Sequence, residues 1–366
     1  MHRLQKRRQL HNFTILNTYM ENLPALRHTR ALKNKWLNSQ TLPDLLRILK
    51  VTQKKWDKAM QQPVYQRFTI PKKNGSPRII ENPNPVLKEI QRAINHHLQA
   101  VYYFAKHPAS YGFCMAVKGD GNPCNIYTHA LRHTGCRHLL NIDLKDFFHT
   151  VSAARIDEMF ANSPFGHPDA CRQWLVTATT LHGRLPMGAP TSPVISNLAA
   201  TGFDAAMEAL AKPHLLTYTR FVDDLSFSGA NMPSGFVEMA LQTIYEHGFE
   251  PNMKKVKLYG PTDTKLVTGL EVGHKVSLGK AYWAKTNMLL GQYTSLLCLL
   301  QNRPTDSLYS QMDEVRQKLN GFLAFARMIG PAETGRAEEI QWKIDNMEDT
   351  LEEFESLGWD EIPYHF

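Results

Sequence analysis

The sequence predicts an α+β protein, with its strands in the first three quarters and a purely helical end. Three observations carry that prediction. Two β-type runs flank Asn74-Gly75 in FTIPKKNGSPRII (68–80), the strongest short hairpin signal. Two further apolar runs, HLLNIDLKDFF (138–148) and YTRFVDDLSFSG (218–229), read as strands that carry acids. From residue 282 onward only helical periodicity remains, so strands come early and helices late.

In chain order, residues 1–60 are predicted helical and basic, with Arg7, Arg8, Arg47, Lys50, Lys54, Lys55 and Lys58. After the hairpin, Val86 to Val101 places Leu87, Ile90, Ile94 and Leu98 at helical spacing. The strand at 138–148 follows, then a helical stretch over 153–182. Leu185 to Ser192 is a Gly/Pro loop, after which Ser192 is expected to cap a helix with Pro193 in its first turn. The 218–229 run is expected as a hairpin, followed by a helix near 233–247 and short strands near 256 and over 267–277. Helices over 282–302, 307–329 and 333–358 close the chain. The last carries Met347, Leu351 and Phe354 on one face and stops at Gly358.

Composition narrows the function. No apolar run approaches the roughly 18 residues of a membrane helix, so no membrane role is expected. The basic start MHRLQKRRQLHN has no apolar stretch behind it and does not read as a secretory signal. Five scattered cysteines suggest a reducing compartment, hence a cytoplasmic protein. The chain carries a net +8, yet Asp345 to Phe366 contains eight acids and no Lys or Arg, so the first 344 residues carry +16. A body that basic points to a polyanionic partner, with nucleic acid first.

The acids are the informative feature. On a continuous strand Phe221, Asp223, Leu225 and Phe227 share one face, and Asp223 becomes a lone charge among apolar side chains. Burying it unpaired costs several kcal/mol, on the order of 2–7 even for a neutral polar group. A turn at the two acids, a bound cation, or both would relieve this; an Asp-Asp turn at the surface is the plain alternative. Asp143, which ends the apolar strand 139–142, supplies a second strand-end acid. Two such acid sites in one basic chain suggest a shared Mg²⁺ site built from hard oxygen ligands.

At this point NIDLKDFF, RLPMGAPTSP and YTRFVDDLSFSG, in that order, resemble the palm motifs of reverse transcriptases. FTIPKKNGSPRII followed by LKEIQRAI resembles their fingers, and GFEPNMKKVKLYG and KLVTGLEVG their later palm motifs. The resemblance spans about residues 65–275. It implies a right-hand polymerase fold: an N-terminal basic helical region over 1–60, interleaved fingers and an antiparallel-sheet palm over 61–265. The palm end and a helical thumb with an acidic C-terminal helix would occupy 266–366.

The same resemblance implies site roles. Asp143, Asp223 and Asp224 would be the metal-site acids, with the Leu144 carbonyl as a further ligand and Asp224 in a partly supporting role. The cofactor would be Mg²⁺, two ions per site, with Mn²⁺ as a substitute. A primer hydroxyl would attack the α-phosphate of an incoming nucleotide. Phe148 matches the aromatic that excludes a 2′-hydroxyl, which favours dNTPs. Lys72 and Arg78 match cations that close on the triphosphate, with Lys73 competing for the Lys72 role. Gly188 and Ala189, in a loop completed by Pro186 and Ser192, would lie against the nucleotide. Lys255 matches a lysine near the leaving phosphates. Two residues depart from the family pattern: Met187 stands in place of Gln, and Phe221 in place of Tyr.

Among reverse transcriptases the chain most resembles those of bacterial retrons. LVTGLEVGHKVSLGK is similar to their Val-Thr-Gly segment, and Asn125-Ile126-Tyr127-Thr128-His129 has the spacing of their Asn-Ala-x-x-His element, with Ile for Ala. KLNGFLAFARMIGP resembles the helical thumb. The resemblance implies a bacterial enzyme that binds its own structured noncoding RNA. Priming from an RNA 2′-hydroxyl would give a branched RNA–DNA product. An effector or toxin protein would complete an antiviral system. Asn125, His129, Val267, Thr268 and Gly269 are the RNA-binding candidates. Rival expectations are another defence or group II intron-related reverse transcriptase, including one making repetitive or untemplated DNA, and a catalytically idle RNA-binding scaffold.

Three features stand outside that picture. Cys114, Cys124, His129, His133, Cys136 and His138 include zinc-type ligands, but their spacing follows no familiar finger. Arg3, Lys6, Arg7 and Arg8 form a basic arm that would add phosphate contacts or remain solvated. The acidic segment 345–361 would dock a basic partner or remain a solvated helical face.

Overall fold

The structure, a computed structural model, describes residues 24–61, 64–72, 75–121 and 123–356, the last nine by their backbone alone. The basic arm at Arg3–Arg8, the rival Lys73, Asn74 of the hairpin turn and the stop at Gly358 lie outside these residues. The described residues fall into two compact units, the first within Met1–Arg132 and Arg137–Thr262, the second within His133–Cys136 and Asp263–Phe366.

The first unit opens with three helices: α1 (Pro24–Leu37), α2 (Leu42–Leu49) and α3 (Gln53–Gln61). Thr41 caps α2 by accepting from the Asp44 amide, with Pro43 in the first turn. The predicted hairpin forms as β1 (Tyr65–Pro71) and β2 (Pro77–Pro83), paired from Tyr65↔Pro83 to Pro71↔Pro77. Helix α4 (Pro85–Ala105) buries Leu87, Ile90, Ile94 and Leu98, the residues its spacing predicts, and Asn84 caps it. A short helix, α5 (Ile126–Leu131), leads to β3 (His138–Asp143), α6 (Phe147–Thr150), α7 (Ala153–Ala161) and α8 (Asp169–Thr179). Helices α9 (Ser192–Ala199) and α10 (Thr201–Ala211) precede β4 (Thr217–Phe221) and β5 (Asp224–Gly229). Helix α11 (Phe236–Glu246) and β6 (Lys257–Tyr259) complete the unit.

The four central strands form an antiparallel sheet in the order β4-β5-β3-β6. A central strand is buried on both faces, which is why β3 reads as a near-continuous apolar run. Leu140, Ile142, Leu225 and Phe227 join Val194, Ile195, Phe203 and Phe236 in one core. That core makes the sheet a rigid platform, and its acids sit at one end of it. Ser192 departs from its expected role. It begins α9 rather than capping it, and its hydroxyl donates to the Pro186 carbonyl at 2.7 Å, which ties the loop 186–192 to itself.

The second unit holds a three-stranded antiparallel sheet, β7 (Leu266–Val267), β8 (Leu270–Val272) and β9 (Val276–Ser277), and three long helices. These are α12 (Lys280–Asn302), α13 (Asp306–Ile329) and α14 (Pro331–Ser356). Glu333 in the first turn of α14 accepts from the Trp283 indole at 3.0 Å, which pins α14 to α12. No helix among the described residues is long and apolar enough to cross a membrane.

Candidate active site

The end of the sheet is shaped by one turn. β4 and β5 are joined by two residues, Val222 and Asp223, with Phe221 directly opposite Asp224. The isolated charge on an apolar strand face therefore does not arise, because Asp223 lies in the turn and not on the strand. Val222 has φ 62°, while Asp223 is not among the left-handed residues. Such a turn, left-handed at its first residue only, ordinarily takes glycine there. A β-branched residue in this region stores strain on the order of 1–3 kcal/mol, which the surroundings must hold.

Three contacts hold it. The Arg220 guanidinium donates to the Val222 carbonyl at 2.8 Å, and the Leu144 amide donates to the Asp223 carbonyl at 2.8 Å. Gly112 lies beneath Val222 so closely that a Cβ there would come within 2.6 Å of a Val222 methyl and 2.8 Å of its amide nitrogen. Arg220 is itself wholly buried. It forks onto Asp204 with two 2.7 Å bonds, and donates to Asn197 at 2.8 Å and to Ser110 at 3.2 Å. Tyr218 donates to Asp204 at 2.8 Å, and Asn197 reaches the Gly112 carbonyl at 2.7 Å. One connected polar network thus locks both sides of the turn.

The carboxylates meet across the sheet. Asp143 ends β3 directly opposite Asp224, the first residue of β5. Like charges paired this way destabilise an antiparallel ladder unless something positive answers them. Lys255 answers here, its Nζ 2.8 Å from one Asp143 oxygen, while Asn252 donates to the other at 2.9 Å. Burial and then the charge of Asp143 raise the Asp223 pKa, with Lys255 and Arg78 opposing. Loss of hydration, then the charges of Asp223 and Asp143, push Asp224 up to about 6, although the residue keeps an exposed side at the start of β5. Two carboxyl groups whose ionisation burial and neighbouring acids oppose, next to the Asp143 carboxylate, make a site that favours a cation.

Among the described residues, no group of three or more His, Cys, Asp or Glu side chains is arranged to hold a metal by itself. That covers the Cys/His residues at 114–138 as well as the acids. The all-oxygen donor set still fits Mg²⁺, which takes one or two carboxylates and completes its shell with water and substrate phosphates. Asp143, Asp223 and Asp224 are the residues that would hold it, and Lys255 would have to leave Asp143. Leu144 is buried, with its backbone amide already tied to the turn.

The expected nucleotide-binding residues also lie in the first unit, and of these Lys255 and Arg78 act on the acids directly. Lys72 and Arg78 are exposed on the β1–β2 hairpin, where Arg78 pairs with Ile70. Phe148 is half-buried in α6 and packs on Phe113, ring centroids 6.2 Å apart. Phe113 is 41% exposed and has φ 52°, an aromatic held in a strained backbone beside Phe148. Gly188 has φ 128°, and a Cβ on it would lie 3.0 Å from the Glu81 carbonyl. Its close approach is therefore to β2. The Glu81 amide also donates to the Met187 carbonyl at 2.7 Å. The Glu81 carboxylate is buried, and Arg184 and Arg67 outweigh that burial and hold its pKa down to about 2. Ala189 is buried in the same loop.

The RNA-binding candidates divide. Asn125 caps α5 through a reciprocal capping box with Thr128. His129 is fully buried, 2.7 Å from the Thr219 hydroxyl, with the Tyr111 and Phe221 rings tilted against it at 5.3 and 5.5 Å. Both side chains brace the first unit; His129 is withdrawn from the surface, whereas Asn125 stays half-buried. Val267 is core, whereas Thr268 and Gly269 form the β7–β8 turn, both left-handed at φ 49° and 87°. Motif reading assigned no role to Arg220, Asp204, Asn197, Gly112, Glu81 or Phe113. A charged residue inside an apolar strand was the available signal for Arg220.

Comparison with known proteins agrees with the motif reading. Residues 70–289 match the reverse transcriptase (RNA-dependent DNA polymerase) family. The retron Mx65 reverse transcriptase of Myxococcus xanthus is 29% identical over 292 residues, 74% of this chain and 63% of that protein. The retron Mx162 reverse transcriptase of the same organism is 30% identical over 301 residues, covering 75% and 59% respectively. The chain thus spans less than two thirds of the length of these two relatives. A solved foamy viral protease-reverse transcriptase in complex with double-stranded DNA aligns at TM-score 0.41 and 18% identity, over 80% of this chain and 43% of that one.

Proposed function

We propose, from the premise that this chain belongs to the reverse transcriptase (RNA-dependent DNA polymerase) family, that it is an RNA-directed DNA polymerase using dNTPs. The observation that carries the reading is the opposition of Asp143 and Asp224 on adjoining strands, with Asp223 in the locked turn beside them. Two Mg²⁺ ions bound there, or Mn²⁺ in their place, would lower the pKa of the primer hydroxyl and neutralise charge on the departing pyrophosphate. The protein's own part is positioning and charge. Lys255, released from Asp143, faces the leaving phosphates. Arg78 and Lys72 close from the hairpin as charge-assisted donors to the triphosphate. Phe148 forms the floor under the sugar, and the 186–192 loop, tied to β2, fixes the nucleotide's edge.

Phe148→Ala is expected to relax sugar selection. The ratio of rNTP to dNTP incorporation should rise by on the order of tenfold or more, because an apolar floor discriminates an added hydroxyl only by contact. Steady-state kinetics with one dNTP and its matching rNTP on a fixed primer–template measure that ratio.

The finer reading is retron-like. The protein would bind its own structured noncoding RNA in the bacterial cytoplasm and prime from an RNA 2′-hydroxyl. It would make a branched RNA–DNA and act with an effector protein in antiviral defence. Similarity to two retron enzymes supports this, and the half-buried Thr268, the exposed Gly269 beside it and the half-buried Asn125 are the RNA-contact candidates. Sequencing the nucleic acid that copurifies with the protein tests it. A 2′–5′ branched RNA–DNA is expected, and a free homopolymer would contradict it.

A further inference from the structure

Helices α1, α2 and α4 create a second feature, separate from the carboxylates. A cavity of about 940 Å³ lies between α1, α2 and α4. Lys35 from α1, Arg47 from α2, Lys50 just after α2 and Arg92 from α4 line it, and among the described residues no carboxylate does. Arg47 is paired with Asp44 at 2.8 Å. Lys35, Lys50 and Arg92 take part in no ion pair among the described residues. Like charges lining one concavity repel each other, and the fold gains nothing from that arrangement unless an anion enters it.

The backbone adds an independent observation. Lys50 follows α2 in the left-handed conformation, φ 56° and ψ 40°, and its amide closes the helix onto Arg47 and Leu46. That place favours glycine or asparagine. The chain instead keeps a long cation there, aimed by a strained backbone at the rim of the cavity. Residues 1–23 contain Arg3, Lys6, Arg7 and Arg8 against the single acid Glu21, so that segment brings more charge of the same sign rather than a counter-charge.

We propose that this cavity binds the phosphodiester backbone of an RNA strand, apart from the polymerisation site. Its volume is at the upper end of small-ligand sites and suits nucleotide units rather than a single small anion. Cations spread over three helices match successive phosphates, where a point anion needs converging donors. The inference deepens the polymerase reading by placing a stretch of the RNA on the N-terminal helices. Its failure can be separated from failure of that reading.

The test uses full-length protein carrying K35A, K50A and R92A together. All three side chains are exposed, so the thermal melt should match that of the parent. Fluorescence anisotropy with a labelled 20-nucleotide single-stranded RNA should show affinity reduced at least tenfold. The plot of log affinity against log salt should be shallower by about 0.7 for each phosphate that is no longer neutralised. Single-turnover dNTP addition to a saturating, preformed primer–template should be unchanged. Unaltered RNA affinity and salt slope in the triple variant would overturn the proposal. So would a reduction confined to single-stranded DNA of the same sequence, or an RNA signal abolished in the parent by millimolar inorganic phosphate. Weakened RNA affinity in a protein that extends no primer would uphold the cavity and sink only the polymerase reading.

Discussion

Arg220→Ala should lower the unfolding free energy by about 3–5 kcal/mol, since it leaves Asp204 charged and buried with only Tyr218 donating to it. Urea unfolding monitored by circular dichroism measures this. The double variant R220M/D204L separates stability from positioning. Replacing a buried ion pair with apolar side chains of similar volume is often close to neutral, so much of the stability should return. The Val222 carbonyl, however, would still lack its donor at 2.8 Å, and the strained turn could relax. Nucleotide incorporation should therefore stay at least about tenfold down in a folded protein, on the order of 1.4 kcal/mol of lost transition-state positioning. Gly112→Ala approaches the same turn from below, where the new methyl would meet Val222 at 2.6 Å. It should reduce incorporation without touching any charge. A double variant that is both stable and fully active would show that the network merely fills the core.

Asp223→Asn should reduce dNTP incorporation by at least about 10³-fold, because cation binding and in-line geometry fail together. Asp143→Asn should do the same and also free Lys255 from its 2.8 Å contact. The effect on stability has the opposite sign. Folding raises the Asp223 and Asp224 pKa values, so their charged forms oppose folding. For Asp224 that penalty is absent below its unfolded value near 4, grows as pH rises through about 6, and is fully present above. Asp224→Asn should therefore raise the melting temperature at pH 8 without metal and leave it unchanged at pH 4. A variant that melts lower at pH 8 would contradict the crowding of charge inferred for this end of the sheet.

These two expectations also show what a sequence makes visible. The β1–β2 hairpin, the α4 face and the long C-terminal helices were legible because their signals are local: a turn dipeptide and a 3.6-residue period. The acids stood out because a charge in an apolar run conflicts with its surroundings. How that conflict is resolved was not legible. It depends on Val222 accepting a glycine-like conformation, which rests on Arg220, Gly112 and Asp204, and Gly112 and Asp204 come from distant parts of the chain. Asp204 looked like any acid on an amphipathic helix. His129 looked like a ligand for RNA, because a buried histidine packed against Phe221 and an exposed one on a loop have the same sequence signature. Glu81 follows the hairpin run and carried no signal, yet its backbone fixes Met187 and closes on Gly188.

The most direct test of the account is a templated synthesis. Purified protein is given a defined RNA template, an annealed primer, all four dNTPs and Mg²⁺, and the product is sequenced. The account predicts DNA complementary to the RNA, made by the parent protein, abolished on chelation of the metal and absent with Asp223→Asn. DNA whose sequence ignores the template, or undiminished synthesis by the Asp223→Asn protein, would contradict it.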